Sequence, residues 1–258
     1  MYSLNLAGKT ALIAGVANHR SLAWGAAKAV HQAGARLALT YQGDRLKQSV
    51  EKLTADMPDV VLAGCDVTDD AQIESAVAEI VAHVGHIDMF VHSIAYANKE
   101  DLESGAMSAT SREGFRLAME ISAYSFVALA RALKPHMREG GSIVTMSFLA
   151  AEKVFPNYNV MGAAKAALEH HVRQLAYEFG AQGVRVNAVS AGPVKTLASA
   201  GIARFSDALR THSERAPLHR NVTKDEVGAA TLFLLSDMAS GITGETLHVD
   251  AGYNIMGV

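Results

Sequence analysis

Thr10-Ala11-Leu12-Ile13-Ala14-Gly15-Val16-Ala17-Asn18-His19-Arg20-Ser21-Leu22-Ala23-Trp24-Gly25 decides how the chain is read. A short apolar run ends in a glycine, a polar turn follows, and a helical pattern begins at Ser21. An uninterrupted apolar run suits a strand covered on both faces, because neither face meets water. The same alternation extends outward along the chain. Strands are expected at Leu37–Tyr41, Val60–Ala63, Met89–His92, Ser142–Ser147, Val184–Val189 and Thr246–Val249. Amphipathic stretches lie near 21–33, 44–56, 69–83, 111–137, 157–179 and 223–235, the last opened by the capping-box signature Thr223-Lys224-Asp225-Glu226. Strand–helix alternation of this kind predicts an α/β fold, a single-domain doubly wound (Rossmann-type) parallel sheet of about seven strands with helices on both faces. No repeat, low-complexity tract or Pro/Ser-rich linker divides residues 1–258, which read as one domain. Such sheets take ligands outside the carboxyl ends of their strands, so chemistry is sought just after Ala14, Tyr41, Ala63, His92, Ser147 and Val189.

Composition narrows the function. A net charge of −3 leaves no footprint for nucleic acid or for an anionic membrane. No apolar run reaches the ~18 residues of a membrane span, and the N-terminus lacks the pattern of a signal peptide. One cysteine excludes an internal disulfide and points to a reducing cytoplasm. Cys65 itself follows a strand-like run and reads as core packing. The histidines include no metal-binding spacing, so no metal is expected.

Gly15 can supply the sharp exit from the first strand. Ser21 stands where a helix N-terminus presents free N–H groups to a pyrophosphate, with Leu22 beside it, and Gly25 would let that helix lie close to the sheet. The second strand ends Tyr41-Gln42-Gly43-Asp44-Arg45, where a dinucleotide fold distinguishes NAD from NADP. Gln42 can bond a ribose or adenine edge without a charge, which favours NADH, while Arg45 and Arg20 are near enough in sequence to serve NADPH. After the third strand, Cys65-Asp66-Val67 offers an acceptor to an adenine amino group. Asp66 or Thr68 would equally well cap the next helix.

The fifth strand is followed by Ser147-Phe148-Leu149-Ala150 and, further on, by Asn157-Tyr158-Asn159-Val160-Met161-Gly162-Ala163-Ala164-Lys165. Tyr158 and Lys165 are nearly two helical turns apart, so they share a face about 10 Å apart along the axis. With the Gly15…Ser21…Gly25 turn, Tyr41-Gln42, Cys65-Asp66-Val67, His92-Ser93-Ile94-Ala95 and Ser190-Ala191-Gly192-Pro193-Val194-Lys195-Thr196-Leu197-Ala198, these segments make the chain resemble the short-chain dehydrogenase/reductase family. Within it, the chain is similar to the bacterial enoyl-[acyl carrier protein] reductases over nearly its whole length.

That resemblance implies a function in fatty-acid elongation: NADH-dependent reduction of the trans-2 double bond of an enoyl thioester carried on acyl carrier protein. It separates two chemistries by spacing. Ketone-reducing members place Tyr four residues before Lys and Ser thirteen before that Tyr; counted from Lys165 these positions hold Met161 and Phe148. Neither can donate a proton to a carbonyl. In enoyl reduction hydride goes to C3 while charge develops on the thioester oxygen, so the donor belongs further from the nicotinamide, where Tyr158 stands. The resemblance makes Tyr158 and Lys165 catalytic, Tyr158 towards the enolate oxygen and Lys165 towards the nicotinamide ribose. Gly15, Ser21, Leu22, Gln42, Asp66, Val67, Ser93, Ile94, Val194, Thr196, Leu197 and Ala198 match cofactor-binding positions. Tyr96, Ala97, Phe148 and Met161 match the substrate site, and residues 196–216 match a substrate-covering segment. A second tyrosine usual in the family after Ser147 is here Phe148. A homotetramer pairing the 111–137 and 157–179 helices is also implied. Two other readings share the fold: a reductase of another enone or of enoyl-CoA using NADPH, and a non-catalytic dinucleotide-binding regulator, which would have no need of Tyr158 and Lys165.

Overall fold

The computed structural model describes residues 4–57, 59–103, 106–196, 199 and 205–257. Seven strands form one parallel sheet: β1 (Thr10–Ala14), β2 (Arg36–Tyr41), β3 (Val61–Gly64), β4 (Ile87–His92), β5 (Met137–Ser147), β6 (Arg185–Ala191) and β7 (Thr246–Val249). Their order is β3-β2-β1-β4-β5-β6-β7. The winding reverses between β1 and β4, the place where such sheets open a crevice.

Both faces of the sheet are covered. On β1, Ala11 and Ile13 enter one apolar cluster, with α1 (Leu22–Gln32), α2 (Gly43–Leu53) and α9 (Lys224–Leu235). Leu12 and Ala14 enter the other, with α3 (Asp70–Val84), α6 (Ser125–Leu133) and α7 (Asn159–Gly180). Two dry faces explain why the strands read as continuous apolar runs and not as alternation. Phe90, Phe126 and Phe179 are fully buried in the second layer, and truncating any of them to alanine would cost about 3–5 kcal/mol.

All seven expected strands are present, with differences at their ends. β5 begins earlier than its apolar run, at Met137, with an irregular register against β4 between Ile87 and Met89. The 111–137 stretch is four pieces, α5 (Arg112–Met119), a π-helical turn at Glu120–Tyr124, α6 and a 3-10 turn at Lys134–His136, after which β5 starts at Met137. A short α4 (Lys99–Glu103) precedes it, and α8 (Phe205–Arg215) lies within the 196–216 segment. Among the described residues no helix is long and apolar enough to cross a membrane.

Gly25 has a different role from the expected one. A Cβ there would stand 2.3 Å from the Lys224 carbonyl oxygen, and one on Gly228 would stand 2.4 Å from the Gly25 carbonyl oxygen. The close approach is therefore between α1 and α9, not between α1 and the sheet. The capping box on α9 is formed as read, with Thr223 and Glu226 bonded reciprocally.

Candidate active site

At the exit from β1, Gly15 has φ +104°, and a Cβ on it would fall 2.1 Å from the Ser93 carbonyl oxygen. Only glycine lets the β1 and β4 tips approach so closely. The Ser21 hydroxyl turns back into the loop and accepts from the N–H groups of Ala17 and Asn18, each at 3.1 Å. Among the described residues no side chain caps α1; the Trp24 and Gly25 N–H groups bond the Ser21 carbonyl, and those of Leu22 and Ala23 are left for a ligand, the arrangement that receives a phosphate. Leu22 opens that turn.

Across the neighbouring tips, Gln42 donates from Nε2 to Asp66 Oδ2 at 2.9 Å. Asp66 also accepts from the backbone and hydroxyl of Thr68, and the backbone bond chiefly holds its carboxyl below the ordinary range. The cap of α3 is neither Asp66 nor Thr68. Asp69 accepts from Ala71 and Gln72, which leaves Asp66 at the mouth of the cleft. Val67 and Ile94 pack partly against the second core layer, and Val194 and Leu22 against the first. Thr196 and Ser199 bind each other: Thr196 N–H donates to Ser199 Oγ at 2.8 Å, and Ser199 N–H to Thr196 Oγ1 at 3.1 Å. Leu197 and Ala198 lie outside the described residues. Cys65 is buried, and desolvation first, then the nearby Asp66, pushes its thiol up to about 11, as befits a packing residue.

The β5 tip is built from side chains. Phe148 packs on Tyr158 with ring centroids 4.9 Å apart and on Phe155 at 4.7 Å. Tyr158 stands just before α7 with right-handed backbone, between Asn157 (φ 65°) and Asn159 (φ 35°), whose positive φ asparagine tolerates better than most residues. The Asn159 amide ties this bend to the Asp101 carbonyl at 2.9 Å. Burial raises the Tyr158 phenol above its ordinary value, so it remains a donor. Among the described residues, nothing occupies its hydroxyl. Tyr158 and Ala97 pack on Met161, Val160, Leu102 and Ala118 in a separate small apolar cluster, and Tyr96 beside it is half exposed.

Lys165 is 5 % exposed, and among the described residues its one bond is from Nζ to the Met146 carbonyl at 2.7 Å. Desolvation lowers its pKa to about 8 against a smaller opposing pull from Glu169. Two of its three protons are thus unspent at the floor of the cleft. On the same helix Glu169 accepts from the Ser147 hydroxyl at 2.5 Å, and burial raises its carboxyl. Ser147–Glu169 and the ring of Phe155 escaped the sequence reading, because both depend on contacts between distant segments. His92 was quoted only within a motif, although a histidine closing a wholly buried strand is itself a signal.

A parallel sheet with this crevice, a glycine exit into an uncapped helix, and a tyrosine and lysine beyond β5 define a dinucleotide-binding oxidoreductase of the short-chain type. The family model described as "Enoyl-(Acyl carrier protein) reductase" matches residues 15–254. An enoyl-[acyl-carrier-protein] reductase [NADH] of Bacillus subtilis is 51% identical, with 98% of each chain covered. A crystal structure of the Bacillus cereus enoyl-acyl carrier protein reductase with NADP+ and an indole naphthyridinone superposes with a TM-score of 0.96 at 48% identity, covering 98% of this chain and 99% of that one. The NADH enzyme of Aquifex aeolicus gives 0.95 at 48% identity, covering 99% and 100%. The chain belongs to the enoyl-(acyl carrier protein) reductase family.

Proposed function

We propose that the chain reduces the trans-2 double bond of enoyl thioesters borne on acyl carrier protein, with NADH as reductant, in fatty-acid elongation. The observation that carries the reading is the tip of β5. Tyr158 offers an unspent, protonated phenol, and the two positions a ketone reductase would fill with donors hold Met161 and Phe148. When bound, the dinucleotide supplies the hydride that goes to C3. The electron pair of the double bond then moves towards the thioester oxygen, where Tyr158 stabilises it by donating a hydrogen bond in a site already partly dry. A proton taken up at C2 from solvent water completes the reduction.

The residues fit the cofactor. Lys165 has two free protons for ribose hydroxyls, Gly15 leaves backbone room, and the first turn of α1 faces the crevice beside Ser21 and Leu22. Gln42 and Asp66 flank the adenosine end. A 2′-phosphate at the β2 tip would meet the Asp66 carboxylate, which favours NADH over NADPH. Val67, Ser93, Ile94, Val194 and Thr196 complete this wall; Leu197 and Ala198, outside the described residues, are assigned to cofactor binding by the family likeness alone. Tyr96, Ala97, Phe148 and Met161 form the acyl side, and the substrate-covering role of residues 196–216, of which α8 is the described helix, is assigned from the family likeness.

A cytoplasmic homotetramer is part of the proposal. Its support is the outer face of α7, where Ala163, Ala166 and Ala167 are partly or fully exposed while Ala164 is buried in the molecule. Oxidation of NADH and NADPH with crotonyl thioesters of carrier protein and of coenzyme A tests the reading. Carrier thioester with NADH is the expected best pair. A clear preference for NADPH overturns the cofactor assignment, and turnover of neither thioester overturns the reaction.

A further inference from the structure

His92 ends β4 with no exposed surface and both ring nitrogens paired. Nδ1 is 2.9 Å from Oγ1 of Thr145 on β5, and Nε2 is 2.9 Å from Oγ of Ser125 at the start of α6. Counting protons assigns the tautomer. Ser125 gives its one hydroxyl proton to the Ile121 carbonyl at 2.6 Å, so towards His92 it can only accept. Nε2 therefore carries hydrogen. Burial first, and then the Lys165 charge, holds the imidazole pKa down to about 3, so Nδ1 stays bare, and the one Thr145 hydroxyl proton is shared between Nδ1 at 2.9 Å and the His92 carbonyl at 3.2 Å. The ring is a neutral connector and not an acid.

Ile121 belongs to the π-helical turn Glu120–Tyr124. A hydroxyl that bonds back four residues bends a helix, and π turns gather at functional sites. The next residue, Ser122, accepts from the Tyr96 N–H at 2.9 Å and donates to the Tyr96 carbonyl at 3.0 Å. Its Oγ also lies 3.6 Å from the sulfur of Met161. One path thus runs from His92 through Ser125, Ile121 and Ser122 to both backbone groups of Tyr96.

We propose that His92 is a positioning residue for the acyl substrate: it fixes the π turn, and the turn, through Ser122, sets the Tyr96–Ala97 backbone against Met161. This rests on the reading of Tyr96, Ala97 and Met161 as the acyl side of the enoyl reductase site. The path explains why a polar ring is retained at a completely buried strand end. A leucine there would pack, but it would deprive the Ser125 oxygen of its ring N–H donor and leave the Thr145 hydroxyl only the backbone carbonyl of residue 92.

Two conservative variants separate the halves of the connection. His92→Asn keeps a polar group where Nδ1 stands but cannot reach Ser125, whereas His92→Gln puts an amide N–H where Nε2 stands. His92→Asn should raise KM for the crotonyl thioester about fivefold, the worth of one buried hydrogen bond, with Kd for NADH unchanged. His92→Gln should restore KM, and Ser125→Ala should reproduce His92→Asn. Hydrogen exchange over residues 94–98, measured without substrate, should quicken in His92→Asn and Ser125→Ala but not in His92→Gln. Equal effects of Asn and Gln, unchanged exchange, or NADH affinity falling in step with thioester affinity would each overturn the proposal. If the natural protein turned over no enoyl thioester, the reading of the reaction would fall, and the acyl role with it. The exchange data would still decide whether His92 sets the Tyr96 backbone.

Discussion

The turn that leaves β1 and the turn that leaves β5 lie at the same end of the sheet and are built in opposite ways. At β1 the site is made by what is missing: Gly15 has no room for a methyl group, and the Ser21 hydroxyl folds inward so that backbone N–H groups face the crevice. At β5 it is made by what is present: three aromatic rings in contact, a free phenol and a buried ammonium. The first arrangement tolerates no addition and the second tolerates no subtraction. A pyrophosphate, wanted in one pose throughout the reaction, is suited by backbone dipoles; a charge that appears only in the transition state is suited by a side-chain donor already aimed.

The sharpest division between the two ends would come from Tyr158→Phe. It removes one donor from the β5 turn and touches nothing at β1. Steady-state kinetics should show kcat lower by about 10²–10³, the scale for losing one oxyanion donor, with NADH binding by fluorescence unchanged. A variant with undiminished kcat would mean that the phenol does not meet the developing charge. A parallel loss of NADH affinity would mean that the two ends are not separable.

Lys165 is where the ends meet, since it grows from α7 and is the residue proposed to hold the ribose. Its pKa is lowered from the ordinary 10.5 to about 8 by burial, so in the free enzyme the ammonium is lost above about pH 8. NADH affinity should therefore hold up to that pH and weaken above it, by about tenfold once the charged donor is gone. Bound cofactor favours the ammonium and raises its pKa, which sets the higher pH at which the loss of affinity levels off. Stability has the opposite slope. Between about 8 and 10.5 the unfolded chain holds a proton that the native state has released, so the apo enzyme gains stability as pH rises. Below 8 both states are protonated, and the dependence on Lys165 ceases. Titration calorimetry and melting curves across this window, with Lys165→Met lacking both trends, check the assignment.

The β1 turn was legible because its signals are local. A glycine, a polar turn and an apolar run sit within sixteen consecutive residues. The seven strands were legible for the related reason that two dry faces demand unbroken apolar sequence. The partner of Gly25 was not, since nothing in the first helix announces that Lys224 and Gly228 will lie against it. The π turn was hidden for the same cause. It follows from Ser125 bonding back to Ile121 and Ser122 gripping Tyr96, whereas periodicity counts only side-chain polarity along one element. Tyr158 and Lys165 were singled out as candidates through their spacing and the family likeness; Phe155, brought onto Phe148 by the chain's return, has no comparable mark.

The smallest expected effect tests whether the β5 turn needs a second hydroxyl. Phe148 stands where the family usually has tyrosine, and its ring is held between Phe155 at 4.7 Å and Tyr158 at 4.9 Å. Those contacts are apolar and survive Phe148→Tyr. If Tyr158 alone supplies the donor, the added phenol changes kcat by less than about tenfold, because an oxygen already held by one aimed donor gains little from a second that does not reach it. The new hydroxyl must find water or a partner, and if it finds neither, stability falls by about 1–3 kcal/mol, visible in a melting curve. A rise in kcat of several orders would instead show that the natural chain runs without a needed group, and the single-phenol mechanism would fail. Combining Phe148→Tyr with Tyr158→Phe separates position from composition. The pair keeps one phenol but moves it across the ring stack, so activity should stay as low as in Tyr158→Phe alone. Recovery would show that either ring can reach the thioester oxygen, and the contrast between the two turns would then rest on the number of side chains and not on their placement.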